Sequence, residues 1–332
     1  MNCGADSRRF SDPPALMAEF VLAESVMRYA RLAVLIFTSP VFIFSQQNEP
    51  EAVFTSDAKL VELHATVSAP DGTLLTNIPE SAFRVFEDDV RQEIKVFRHE
   101  DAPVSLGLVV DQSASMSDKH ARVSAALMTL VAASNPGDEE FVITFNETAR
   151  LALDFTQNKG KLESALRKIE ANGQTALRDA LSLGIAHLTR NAKNDRKVLL
   201  IVTDGEDNSS VVDLDRLKRE ARQSGVLIYA IGLLNAGTER EAARAKKDLD
   251  TMTFETGGEA FYPAVLGEVD GIARHVAHDL RNQYTIAYSP TNTRQDGTFR
   301  RIKLEVTSPA DAIVKTRTGY YAASRSDGGD SF

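Results

Sequence analysis

Tryptophan is absent from the 332 residues, and cysteine occurs once, as Cys3. A lone thiol excludes an internal disulfide framework and any cysteine-based metal site. Histidine is scarce, with six residues, and none falls in the segments that carry chemistry below. Positive charge is in deficit: 38 Lys and Arg against 47 Asp and Glu leave a formal net charge of −9. With no Lys/Arg-rich run and no aromatic–basic platform, this balance argues against a phosphate-binding surface, so no nucleic-acid partner is expected. Long hydrophobic runs are missing too. The apolar stretch Leu32–Phe44 (L-A-V-L-I-F-T-S-P-V-F-I-F) falls short of the ~20 residues that span a bilayer.

That stretch still has a reading. Arg28 and Arg31 precede it and Ser45-Gln46-Gln47 follows, the layout of a signal peptide. Residues 1–45 are therefore expected to be a signal peptide or, as the alternative, an uncleaved anchor, the one route to a membrane. A start at Met27, giving M-R-Y-A-R before the apolar run, makes a more normal signal than a start at Met1. Export follows as the expectation: periplasmic, secreted or envelope-associated. The remaining composition, 43% hydrophobic and 26% charged, is that of an ordinary globular chain.

What is present is organised around Val104–Ser117, V-S-L-G-L-V-V-D-Q-S-A-S-M-S. A continuous apolar run of this kind predicts a strand buried on both faces of a parallel sheet. It stops at Asp111, and Ser113 and Ser115 follow at alternate positions in a short polar loop. Such a loop lies at the carboxyl edge of the sheet, where open α/β folds bind ligands. Oxygen donors at alternate positions suit a hard divalent cation. A helix is predicted next, over Lys119–Ser134, with Ser117 or Asp118 as its cap. Two later segments add donors. Gly173–Ala180 (G-Q-T-A-L-R-D-A) brings Thr175 to a loop–helix junction, and Val198–Gly205 (V-L-L-I-V-T-D-G) is a second buried strand ending at Asp204.

These three motifs, in this order, resemble the metal-ion-dependent adhesion site of the von Willebrand factor type A (VWA) domain, over roughly 104–280. The flanking segments are similar to those of bacterial VWFA-related proteins, in which β-rich arms surround the domain. The resemblance implies that Ser113 and Ser115 donate hydroxyl oxygens to a divalent cation (Mg2+, with Mn2+ or Ca2+ as alternatives). Asp111, Thr175 and Asp204 would complete the shell, directly or through water. It further implies a protein partner that offers an Asp or Glu carboxylate to an open coordination position.

The rest of the pattern assigns the architecture. Strands alternating with helices over 102–282 predict a doubly wound, mostly parallel α/β sheet with helices on both faces. Before it, 46–58 reads as a linker. In 59–101, Val61, Leu63, Ala65 and Val67 share one face of a strand, and a hairpin of 82–86 with 90–97 turns at Asp88-Asp89. After it, 283–323 alternates again as strands over 284–288, 301–306 and 313–321, and 324–332 is a Ser/Gly/Asp tail. Two-stranded ribbons are marginal alone, so the N- and C-terminal segments are expected to pair into one small β-sandwich-like domain around the α/β insertion. His64, His99 and His120 are expected to face solvent. His275 and His278, at i and i+3, are too few for a metal site without further ligands, and Asp207 and Asn208 read as a solvated loop.

Two other function classes stay open. A metal-dependent hydrolase would need a positioned acid, base or cationic clamp. No histidine lies in the three motifs, and no G-x-S-x-G or Walker loop is present, so no catalytic residue is assigned. A scaffold that uses its exposed strand edges, with no role for metal, is the second.

Overall fold

The computed structural model describes residues 60–234 and 238–324. The expected signal or anchor, the linker and the end of the tail lie outside the described residues. Alternation makes β1 (Val61–Ser68) a half-buried strand, with Val61, Leu63, Ala65 and Val67 inward. The hairpin of β2 (Phe83–Glu87) and β3 (Val90–Gln92) turns through Asp88 and Asp89, both at positive φ (46° and 66°). Two left-handed residues give the turn whose twist matches a hairpin, and Asp tolerates that conformation.

The chain then runs β4 (Ile94–His99), β5 (Val104–Asp111), α1 (His120–Ala132), β6 (Glu139–Phe145), β7 (Ala149–Thr156), α2 (Lys159–Arg167) and α3 (Leu177–Asn191). It continues through β8 (Arg196–Thr203), α4 (Leu214–Ser224), β9 (Leu227–Gly232), α5 (Glu239–Thr256), β10 (Ala260–Phe261) and α6 (Val269–Arg281). It closes with β11 (Tyr284–Tyr288), β12 (Phe299–Val306), β13 (Ile313–Lys315) and β14 (Gly319–Tyr321).

Six strands form the central sheet in the order β10-β9-β8-β5-β6-β7, parallel except for the antiparallel edge strand β7. Both faces are covered. Leu106, Leu108 and Val110 of β5 pack with Val123 and Leu127 of α1, Leu162 of α2 and Val276 of α6. On the other face Val109, Leu199 and Ile201 pack with Leu181 of α3, Leu217 of α4 and Leu249 of α5. Each such side chain contributes about 1.5–3 kcal/mol when fully buried. Strand order therefore sets β5 and β8 side by side at the middle of the sheet, with Asp111 and Asp204 at or just past their carboxyl ends.

The flanking strands form two antiparallel sheets, β13-β1-β11-β4 and β14-β12-β2-β3. Their inner faces share one core, which includes Leu63, Val67, Phe83, Val85, Tyr284, Ile286 and Leu304. Within it the buried Glu87 carboxylate accepts hydrogen bonds from the Tyr288 and Tyr320 hydroxyls at 2.8 and 2.9 Å.

Four local expectations need correction. The segment 90–97 is two strands: β3 pairs with β2, but past Glu93 the chain crosses to the other sheet and pairs with β11. The segment 313–321 divides likewise, β13 pairing with β1 and β14 with β12. A 3-10 turn, Ala114–Met116, precedes α1, whose cap position is Lys119 with no side-chain cap bond. His64 is not solvent-facing: its side chain is 10% exposed, and burial, then the charges of Arg196 and Arg317, push its pKa down to about 3.

Candidate metal site at the carboxyl edge of the sheet

β5 ends where its apolar run meets Asp111, a fully buried carboxylate. Two groups hold it: the Ser113 backbone N–H donates to Oδ1 at 2.7 Å and the Thr203 hydroxyl to Oδ2 at 2.5 Å. Burial outweighs these bonds, and with a smaller contribution from nearby Asp204 the Asp111 pKa rises to about 6. The Asx-type bond turns the chain so that Ser113 and Ser115 point to one side, their hydroxyls 3.1 Å apart. Ser115 then donates to Asp204 Oδ1 at 2.8 Å. Asp111, Ser113, Ser115 and Asp204 thus form one connected group of oxygens. Ser113 and Asp204 are each 2% exposed, whereas Ser115 is open to solvent and forms the mouth of the group.

Thr175 reaches the same edge from the third segment. Its hydroxyl lies 3.6 Å from the position a Cβ would take on Gly205, and among the described residues it forms no hydrogen bond to the other four. Its loop is tied down on every side. Gly173, at φ +78°, adopts a turn that most side chains resist and accepts from the Ala114 N–H at 3.2 Å. Asn172 donates to the Gln112 carbonyl at 2.7 Å, and Ala176 to the Asn146 carbonyl at 2.6 Å. Asn208 Oδ1 accepts from the Thr175 N–H at 3.0 Å.

Asp207, expected in a solvated loop, is instead the anchor of this corner. Its carboxylate accepts from the Arg178 N–H at 2.7 Å and guanidinium at 3.0 Å, and from the Ser210 hydroxyl at 2.6 Å. Burial alone would raise Asp207; the Arg178 and Ser210 bonds outweigh it and hold it below the usual carboxylate range.

Residues 106–206 match the family model of the von Willebrand factor type A domain, the span from β5 through Asp204. The chain carries a von Willebrand factor type A domain. Horse calcium-activated chloride channel regulator 1 is 26% identical over 172 residues, 50% of this chain and 18% of that protein. Mouse integrin alpha-M is 29% identical over 110 residues, 32% of this chain and 9% of that protein. The match thus spans less than a fifth of either relative. Among solved structures, proximal thread matrix protein 1 of the mussel byssus, with its MIDAS motif occupied by zinc, aligns at 19% identity and a TM-score of 0.48, over 58% of this chain and 49% of that chain.

Two residues of this type A domain near the site were not assigned to it from the sequence. Lys119, 9% exposed, lays its ammonium on Asp204 Oδ2 and donates to the Ser115 carbonyl at 2.9 Å. The signal available was a Lys four residues past Ser115, close enough to fold back over the loop. His120, expected on the surface, is half-buried, and neither inaccessible ring nitrogen has a hydrogen-bond partner. Burial lowers its pKa, and the Asp204 charge opposes that shift.

The donor set fits a hard divalent cation. The described site offers hydroxyl and carboxylate oxygens with no nitrogen or sulfur ligand among the five residues, as Mg2+ and Ca2+ require. Two carboxylates against one ammonium leave the group net negative, and Lys119 shows that a positive charge is accommodated there.

Proposed function

We propose that this is an exported adhesion-type protein that binds a protein partner through a divalent cation held by Asp111, Ser113, Ser115, Thr175 and Asp204. The observation that carries the reading is the connected group of oxygens at the sheet edge, buried at Asp111 and Asp204 and open at Ser115. Ser113 and Ser115 would be direct ligands, with Thr175, Asp111 and Asp204 completing the shell directly or through water. Mg2+ is the first candidate, with Mn2+ or Ca2+ as alternatives. A bound cation supplies positive charge and an exchangeable coordination position.

The neutral hydroxyls compensate little of that charge, so an Asp or Glu carboxylate from the partner is the natural complement. Val211 and Val265 lie in loops on the same carboxyl side of the sheet and are 92% and 60% exposed; they offer apolar contact area to such a partner. Catalysis is not part of this reading, because the five residues include no positioned acid–base pair or nucleophile. Among the described residues no helix is long and apolar enough to cross a membrane. Export rests on the Leu32–Phe44 pattern.

The test is calorimetric titration of Mg2+ and Mn2+ into chelator-treated protein, beside Asp111→Ala and Ser113→Ala. Saturable binding by the parent that both variants lose supports the site. A folded parent that binds neither ion moves the function to the flanking sheets, where Val90 on edge strand β3 and Ile313 on edge strand β13 are 55% and 46% exposed.

A further inference from the structure

α6 carries His275 and, one turn on, Asp279, with His275 Nε2 3.6 Å from Asp279 Oδ1. Glu259, the residue before β10, comes to the same place: ligand atoms of Glu259, His275 and Asp279 all lie within 4.8 Å of one another. Asp279 is 1% exposed, and its Oδ1, the oxygen that faces His275, is inaccessible and accepts no hydrogen bond. A buried ionised carboxylate without a hydrogen bond is costly, and it takes up either a proton or a cation. Burial foremost, with Glu259 adding to it against His275, Lys315 and His278, raises the Asp279 pKa to about 6. Phe261 packs edge-on against the His275 ring at 5.5 Å and fixes one side of the imidazole. Lys315 of β13 pairs with Glu259 Oε2 at 2.5 Å, its side chain 31% exposed, so a cation bound here competes with that ammonium for Glu259.

We propose that Glu259, His275 and Asp279 form a second cation site, for a borderline transition-metal ion such as Zn2+. One imidazole nitrogen and two carboxylate oxygens are a donor set that zinc accepts, with water in the fourth position. Mg2+ prefers all-oxygen surroundings, so the two sites differ in metal. They also lie apart: β10 is an edge strand of the central sheet, and β9 and β8 stand between it and β5, which carries Asp111. A metal here would clamp α6 to β10.

Co2+ is the probe, titrated into the full chain carrying Asp111→Asn so that the first site is disabled, with Ser115→Ala as a second background should Asp111→Asn fold poorly. The expected result is one equivalent of Co2+ with visible ligand-field bands. Adding His275→Ala, a truncation at a side chain 41% exposed, or Asp279→Asn abolishes the bands and weakens binding by about tenfold or more. Lys315→Met, which removes the competing ammonium, tightens it. No Co2+ band in either background, or a band unchanged by His275→Ala, overturns the proposal. Neither result bears on Mg2+ binding at Asp111.

Discussion

Lys119 decides how the candidate adhesion site behaves without metal. Its ammonium lies against the Asp204 carboxylate, and the two side chains are 11% and 0% exposed. Removing one partner of a buried pair strands the other, at a cost of about 3 kcal/mol. Lys119→Met is therefore expected to lower the melting temperature of the chelator-treated protein and to enlarge the rise on adding Mg2+, because the ion then meets an uncompensated carboxylate. A thermal shift on Mg2+ equal to that of the parent would place the ion away from Asp204. Residues of this kind mark the limit of reading the site from sequence. Asp111, Ser113 and Ser115 were legible because they follow an apolar strand at alternate positions. Lys119 was not, since what matters is that a 3-10 turn folds its chain back over Asp204. Asp207 was misread for the same reason: its burial depends on Arg178, which helix α3 brings from a distant segment.

At the scale of elements, the α/β alternation was legible because buried strands, amphipathic helices and glycine caps repeat their signals locally. Gly225 and Gly257 end α4 and α5 in the left-handed conformation, at φ +67° and +85°, as glycine past a helix allows. The strand switches at Glu93 and after Lys315 were not legible. Alternation identifies which face is buried but not which neighbour a strand pairs with. His64 belongs to this scale, because it sits where β1 approaches Arg196 of β8 and Arg317. Its folded pKa of about 3 lies below the ordinary value of 6.5. The unfolded chain therefore binds the proton more readily, and the stability that neutral His64 contributes is full above pH 6.5. It is lost as pH falls toward 3, by up to about 1.4 kcal/mol per pH unit between those values. His64→Gln should flatten the fall in urea midpoint between pH 6.5 and 4 relative to the parent. An identical fall in both proteins would show that the Arg-lined environment does not act on His64.

At the scale of the molecule, the flanking sheets and the central sheet belong to one compact unit. The Arg222–Glu255 ion pair at 2.7 Å links α4 to α5, and the Thr318 hydroxyl joins it by donating to Glu255 at 2.6 Å. The backbone approaches so closely that a Cβ on Gly257 would stand 2.4 Å from the Thr316 carbonyl carbon. Arg281, at the end of α6, pairs with Asp101 at 2.8 Å just before β5. Unfolding should accordingly be one transition. With Tyr229 and Tyr262 of the central part replaced by Phe, Tyr284, Tyr288, Tyr320 and Tyr321 report the flanking sheets by fluorescence, and far-UV dichroism reports the helices around the central sheet. Coincident urea curves are expected, and a helix signal that persists after the tyrosine signal has changed would mean two independent modules.

The most direct test of the metal-site account is a crystal of the protein grown or soaked with Mn2+ and examined by anomalous scattering. The account predicts one peak within coordination distance, about 2.0–2.3 Å, of the Ser113 and Ser115 hydroxyl oxygens, with the Lys119 ammonium displaced from Asp204. A crystal at saturating Mn2+ with no peak there, and with Lys119 still seated on Asp204, would contradict it.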